Sequence, residues 1–151
     1  FLCQLSPTEI EVIKTEPIPL EVIYRKLAYG SFVRRYGNLV KPFTKLDLIE
    51  FTLKDDKLGD PLITHEAIKR LKIATDEELR LIENMTRRVA AILDCHLKKK
   101  RLELVDFKIE FGRHEKGLVV IDALNADSMR VADSKNRILT YKELARRLEA
   151  K

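Results

Sequence analysis

The stretch of sequence that decides the fold is LELVDFKIEFG, from Leu102 to Gly112. Apolar and polar residues alternate along most of it, and this two-residue period predicts a β-strand with one buried face. A short apolar segment, Leu118 to Ile121, follows after a polar connection. We therefore predict a β-hairpin whose turn is formed by Arg113 to Gly117.

Three segments upstream predict further strands. Glu9 to Lys14 and Leu20 to Arg25 alternate in the same way, and Ile49 to Leu53 is another short strand. Pro17 and Pro19 exclude a helix between the first two segments, because proline has no backbone N–H and breaks a helix interior. A turn or kink is predicted there.

Helices are predicted on the remaining periodic segments. Thr75, followed three residues later by Glu78, is a capping box that opens a long helix from about Asp76 to Lys99. Thr64 opens a short helix before it, and Tyr141 to Lys151 is a basic amphipathic helix. The predicted apolar stripe of the long helix consists of Leu79, Ile82, Met85, Val89, Ile92 and Cys95.

Together these elements predict an α+β fold with a mostly antiparallel sheet and the long helix across one face, in a single domain over residues 1–151. The apolar runs fall far short of the roughly 20 residues that a membrane span needs, and no signal peptide opens the chain. We therefore expect a cytoplasmic protein with no membrane partner. Cys3 and Cys95 lack the spacing of a disulfide framework or a zinc site, so both are predicted to be reduced thiols.

The chain is basic, with a formal net charge of +5 and an isoelectric point near 9.2. Such a charge favours anionic partners in general. The basic residues are spread among 24 acidic ones, however, and the one dense run, Lys98 to Arg101, ends the long helix, where cations suit the helix dipole. Nucleic acid is therefore not expected as a partner.

Two carboxylates are expected to converge on the predicted hairpin. A hairpin centred on residues 114–116 pairs positions that sum to about 230, so Glu110 lies opposite roughly residue 120 and diagonal to Asp122. Magnesium takes one or two carboxylates and completes its coordination with water and phosphate oxygens. Glu110 and Asp122 are thus candidate magnesium ligands, although two acids that merely end strands in solvent would give the same pattern.

Basic residues near these acids are candidate anion ligands. Lys108 lies on the same strand face as Asp106 and Glu110, and this polar face is either a surface salt-bridge ladder or a site. Gly30 and Gly37 bracket the basic segment Ser31 to Tyr36, in which Ser31 supplies a hydroxyl, and Arg25 lies just upstream. Such a segment suits a phosphate, but an ordinary basic surface loop would have the same sequence pattern.

Four blocks of this sequence resemble one known family. EVIYRKLAYGSFVRR at residues 21–35, LKDDKLGDP at 53–61, IATDEEL at 73–79 and LVDFKIEFG at 104–112 stand in the order and spacing found in SAICAR synthetases. The resemblance covers roughly Glu9 to Arg130. Four blocks in order are far more specific than any one of them.

The resemblance implies an ATP-dependent ligase that joins L-aspartate to the carboxylate of carboxyaminoimidazole ribotide and gives SAICAR in purine biosynthesis, with Mg²⁺ assisting. Lys108, Glu110 and Asp122 match catalytic positions, and the two acids among them match the carboxylates that bind metal and the ATP phosphates. Positions that match substrate-binding residues are Arg25, Ser31, Lys54, Asp60, Asp127 and Arg130.

The chain also departs from the family pattern. Ala123 replaces a glutamate and Ala132 replaces an aromatic residue, and the family's amino-terminal lobe, which carries a glycine-lysine strand over the ATP phosphates, is absent. Two hypotheses follow. The chain is part of an active ligase whose lobe comes from another chain or from elsewhere in the same polypeptide; alternatively, it is a non-catalytic remnant that binds a phosphoribotide or nucleotide. A homo-oligomer or the missing lobe is the expected protein partner.

Overall fold

A mostly antiparallel sheet forms the centre of the computed structural model, which describes residues 2–149. The elements follow the order predicted from the sequence, with two additional strands and one additional helix. They are β1 (Cys3–Ser6), β2 (Glu9–Glu11), β3 (Glu16–Leu27), α1 (Gly30–Tyr36), β4 (Lys45–Leu53), α2 (His65–Arg70), α3 (Asp76–Lys99), β5 (Glu103–His114), β6 (Gly117–Val120), β7 (Met129–Ala132) and α4 (Tyr141–Glu149).

The long strands β3 and β5 pair side by side, with β4 on the other edge of β3. Both β6 and β7 pair with the free edge of β5, at its two ends: β6 with residues 111–114, and β7 with residues 103–107. Residues 121–128 therefore leave the sheet between the two pairings. The loop departs where Ile121 N donates to Glu110 O at 3.0 Å and returns where Lys108 N donates to Ser128 O at 2.7 Å.

The core lies between the sheet and α3. The buried apolar side chains of β5 include Phe107, Ile109 and Phe111, as the alternation predicts. The predicted stripe of α3 is right for Leu79 and Ile82 and wrong for its last two members, because Ile92 and Cys95 are exposed. The buried line instead consists of Leu79, Ile82, Thr86, Ala90 and Leu97. From Leu79 to Leu97 this line advances by about five whole turns of 3.6 residues, so it stays on one side of the helix.

The amino-terminal strands differ from the prediction. The segment Glu9 to Lys14 is a strand only over Glu9–Glu11, and it pairs with β1 in a separate two-stranded sheet. Pro17 and Pro19 lie inside β3 and do not break it. The register with β5 shifts between Pro17 and Glu21, since the prolines cannot donate to the ladder there.

The glycine-flanked basic segment is a helix, α1, and not a loop. Gly30 has φ +53°, which turns the chain sharply after β3, and Phe32 anchors the helix by burial. Gly37, also at positive φ, ends the helix by donating its N–H to Val33 O.

The predicted carboxy-terminal helix is present as α4 and begins at Tyr141 as expected, while Ala150 and Lys151 lie outside the described residues. Cys3 and Cys95 are both free thiols. In residues 2–149 no helix combines the length and the apolar character that crossing a bilayer requires.

Candidate functional site

An open cleft of about 410 Å³ lies on the sheet face beside α1, bounded by the end of the 121–128 loop. It brings together most of the predicted substrate-binding residues and the predicted catalytic lysine. The polar side chains that line it are those of Arg25, Ser31, Asp106, Lys108, Asp127, Ser128 and Arg130. Strands β3, β5 and β7 supply most of them, so the sheet itself positions the cations.

Arg25 forms the floor of this cleft. Its side chain is only 1% exposed, and such a buried charge requires several polar partners. Nε donates to Glu50 at 2.6 Å, Nη1 to Asp106 at 2.9 Å, and Nη2 to the hydroxyl of Ser31 at 2.9 Å. Arg25 therefore joins β4, β5 and the start of α1 in one network.

Asp106 holds a second guanidinium. Arg130 donates from Nε to Oδ1 at 2.7 Å and from Nη2 to Oδ2 at 2.8 Å, the two-pronged geometry that suits an arginine and a carboxylate. The Arg130 guanidinium also lies 5.5 Å from the centre of the Tyr29 ring. Asp106 was placed on the polar strand face by its sequence position, but nothing in the sequence indicated that it joins two arginines.

Lys108 lies next to this pair on β5 and is partly exposed. Its Nζ donates to Glu21 at 2.5 Å, and Glu21 also accepts a hydrogen bond from the Thr52 hydroxyl at 2.9 Å. Burial is the largest influence on the pKa of Lys108 and lowers it, but the hydrogen bond to Glu21 and the charges of Glu21, Glu110 and Asp122 together raise it. Lys108 is therefore a fixed cation and not a general base at neutral pH.

Glu110 and Asp122 both lie close enough to Lys108 to act on its charge. Glu110 forms an ion pair with Lys54, and an Asp122 oxygen accepts a hydrogen bond from the backbone N of Ala123 at 2.8 Å. The hairpin pairs Phe111 with Val120, so Glu110 faces residue 121, one position beyond the prediction. Within residues 2–149 no group of three or more histidine, cysteine, aspartate or glutamate side chains is placed to hold a metal ion.

The remaining predicted residues, Lys54, Asp127 and Asp60, differ in their positions relative to the cleft. Lys54 reaches Glu110, at the end where the 121–128 loop departs. Asp127 is an exposed residue on the cleft rim. Asp60 lies outside the cleft, in the loop after β4, where its carboxylate accepts a hydrogen bond from Asp55 N at 3.0 Å and so holds that loop's turn.

Sequence reasoning also missed Glu50. Its carboxylate lies between Arg25 and Arg35 and forms ion pairs with both. The available signal was a single acidic residue inside the apolar strand segment Ile49 to Leu53. Arginine, aspartate and glutamate thus alternate from Arg35 through Glu50, Arg25 and Asp106 to Arg130.

The fold and the cleft define an α+β protein whose antiparallel sheet presents a cluster of fixed cations. The carboxylates of Glu110 and Asp122 lie near one of these cations, Lys108. The SAICAR synthetase family model matches residues 1–148. The chain belongs to the SAICAR synthetase family.

Curated sequence relatives support the same family assignment. Phosphoribosylaminoimidazole-succinocarboxamide synthase of Coprothermobacter proteolyticus is 42% identical over 137 residues, which is 89% of this chain and 57% of the relative. The Aquifex aeolicus protein of the same name is 43% identical over 136 residues, 88% of this chain and 62% of the relative. The chain thus spans about three fifths of the length of these curated relatives.

Solved structures show the same fold. The Ehrlichia chaffeensis phosphoribosylaminoimidazole-succinocarboxamide synthase superposes with a TM-score of 0.83 at 31% identity, over 91% of this chain and 66% of that one. A SAICAR synthetase in complex with ADP gives a TM-score of 0.82 at 33% identity, with the same coverage of 91% and 66%. The predicted α+β class and the predicted family are both confirmed.

Proposed function

We propose that this chain is the substrate-binding part of an ATP-dependent ligase that joins L-aspartate to the carboxylate of carboxyaminoimidazole ribotide and releases SAICAR, in the cytoplasm. The observation that carries the proposal is the Asp106 carboxylate, which joins Arg25 and Arg130 in the cleft beside Ser31. Family membership and a structural neighbour complexed with ADP support the same activity.

The proposed ribotide site uses Arg25, Ser31 and Arg130 for the phosphate. Arg25 is too buried to reach far, so its role is to supply a fixed positive charge and to orient the Ser31 hydroxyl. Arg130, whose side chain is 37% exposed, offers the guanidinium that a ligand can contact directly. Asp127 on the rim is proposed to contact the same ligand, and Lys54 and Asp60 to order the substrate loop.

The proposed ATP end of the site lies at Glu110 and Asp122. A pair of carboxylates suits Mg²⁺, whose other ligands are water and phosphate oxygens, so both residues fit this role. When bound, the ion screens the charge of the ATP phosphates and polarises the transferring group. Lys108, held protonated by its acidic neighbours, adds a cation that stabilises negative charge as ATP activates the carboxylate and the aspartate amine then displaces phosphate.

The whole activity is proposed to require an amino-terminal lobe. This chain corresponds to about three fifths of its curated relatives, so the glycine-lysine strand expected over the ATP phosphates is proposed to come from another part of the polypeptide or from a second chain. Of the two alanines that depart from the family pattern, Ala132 is fully buried with Leu27 and Val105, so its effect is on packing.

One observation favours the second function, a non-catalytic phosphoribotide-binding or nucleotide-binding remnant. Ala123 follows Asp122 directly and supplies only its backbone N–H to that carboxylate, at the place where the family has an acidic side chain. In that case the cations of the cleft would still bind the ribotide, but the two carboxylates would not support turnover.

The test combines binding with turnover. The chain is titrated with SAICAR by calorimetry, and it is separately mixed with ATP, Mg²⁺, L-aspartate, carboxyaminoimidazole ribotide and the amino-terminal part of the Aquifex aeolicus relative. Binding together with Mg²⁺-dependent SAICAR formation supports the ligase. Binding without product supports the remnant, and the absence of binding contradicts both.

A further inference from the structure

Gly30 lies directly beneath the guanidinium of Arg130. A methyl group added at Gly30 would stand 2.1 Å from Nη1 and 2.9 Å from Cζ of Arg130, far inside van der Waals contact. The side chain of Arg130 and the backbone of residue 30 can therefore occupy these positions together only because residue 30 has no Cβ. Gly30 is the first residue of α1 and precedes Ser31, whose hydroxyl is bound by Arg25.

The backbone conformation alone does not require glycine here. Gly30 has φ +53°, in the left-handed region, where a residue with a side chain is strained but not excluded. The same chain accepts that region at several positions with side chains. They are Phe43, Asp47, Asp60, Lys72, Arg101 and Asn136. The close approach of Arg130 is thus a second requirement for glycine at position 30, in addition to the positive φ.

The Arg130 guanidinium is otherwise held on two sides. Asp106 takes hydrogen bonds from Nε and Nη2, and the ring of Tyr29 lies 5.5 Å from Cζ. Nη1, the nitrogen that Asp106 does not use, is the atom closest to Gly30. A side chain at position 30 would push this nitrogen, and the guanidinium that carries it, away from the start of α1.

We infer that Gly30 is a positioning residue for phosphate recognition: the missing side chain lets Arg130 Nη1 lie against the first turn of α1, beside Ser31, where both contact the phosphate of the ribotide. The inference rests on the proposed ribotide site. Gly30 itself touches no ligand in this arrangement and acts through Arg130.

Gly37 provides a matched control at the other end of the same helix. It has φ +47°, close to that of Gly30, but a Cβ placed there would meet nothing within 4 Å. Gly30→Ala and Gly37→Ala therefore both place a side chain at a positive φ, and only the first displaces a guanidinium. SAICAR affinity of the 151-residue chain is measured by calorimetry for both variants.

Gly30→Ala is expected to weaken SAICAR binding about tenfold, the effect of losing one charge-assisted hydrogen bond, while Gly37→Ala stays within about twofold of the unsubstituted chain. In an Arg130→Ala background, Gly30→Ala is expected to change the affinity by less than about twofold, because the group it displaces is gone. Equal losses for the two glycine variants, or a full tenfold loss in the Arg130→Ala background, would overturn the inference.

Folding is followed by circular dichroism in parallel. If Gly30→Ala alone does not fold, the clash with Arg130 predicts that Gly30→Ala/Arg130→Ala folds as well as Gly37→Ala does, and failure of that double variant would overturn the inference. Absence of SAICAR binding by the unsubstituted chain would instead overturn the proposed function, and the inference with it.

Discussion

Asp106 receives hydrogen bonds from Nε and Nη2 of Arg130, at 2.7 and 2.8 Å, on a carboxylate that is only 3% exposed. The same carboxylate accepts from Arg25, so one acidic group neutralises part of two positive charges at the centre of β5. Removing the Asp106 carboxylate leaves the buried charge of Arg25 with one acidic partner fewer, and this lowers the free energy of unfolding.

Asp106→Asn is expected to lower the free energy of unfolding by about 3 kcal/mol, since breaking a buried ion pair leaves an uncompensated charge. Asp94 is the matched control because it also binds two cations, Lys26 and Lys98, but at a more exposed place on α3. Asp94→Asn should cost about 1 kcal/mol or less. Urea denaturation at neutral pH measures both, and equal losses would contradict the assigned role of Asp106.

Ile82 and Ile92 test the packing of α3 with a single type of substitution. Ile82 is fully buried, whereas Ile92 is 58% exposed although the sequence pattern placed both in the core stripe. Ile82→Ala is expected to cost about 2–5 kcal/mol of stability and Ile92→Ala less than about 0.5 kcal/mol. Thermal and urea unfolding measure the loss of stability in each variant. Similar losses of stability would show that the outer face of α3 is covered in solution.

Glu143 is predicted to carry an acid-sensitive part of the stability. The backbone N–H of Thr140, and then the Arg137 guanidinium and the Thr140 hydroxyl, lower the pKa of Glu143 to about 2 from an ordinary 4.5. Because the folded value is the lower one, the stabilising effect is complete above the unfolded pKa and disappears as the pH falls through the folded pKa.

Glu143→Gln should therefore be less stable than the unsubstituted chain at pH 7, and the difference should shrink steadily below the ordinary pKa of 4.5. Urea denaturation across this pH range follows the change. A difference that is constant with pH would mean that Glu143 contributes through packing and not through its charge.

Glu110 and Asp122 are predicted to affect turnover and not ribotide binding. Glu110→Gln or Asp122→Asn should lower kcat by about a hundredfold or more in the assay reconstituted with the amino-terminal lobe, while SAICAR affinity changes by less than about twofold. Glu115→Gln is the control, since Glu115 is an exposed acid in the turn of the same hairpin. A variant that loses affinity and keeps kcat would place these carboxylates in the ribotide site instead.

The sequence predicted the parts of the molecule that depend on local periodicity. Alternation located β5 and much of β3, and the capping box at Thr75 placed the start of α3 to the residue. The family resemblance predicted Arg25, Ser31, Lys108, Asp127 and Arg130 as site residues, and the fold brings these five into one cleft.

The missed features all depend on contacts between distant segments. The sequence did not predict helix α1, because two flanking glycines usually indicate a loop. Burial of Phe32 stabilises the helix between them. The network through Glu50 and Asp106 joins β4, β3 and β5, and only the strand register shows which acid meets which arginine. Periodicity cannot specify that register.

The 121–128 loop is fastened to β5 through main-chain groups, where Ile121 N meets Glu110 O and Ser128 O meets Lys108 N. Every residue type except proline can donate such bonds, and every type can accept them. A side chain inside this segment, such as that of Ala123, can therefore change without loss of the two main-chain attachments. The path of the loop relative to β5 is therefore insensitive to the side chains at its two attachment points.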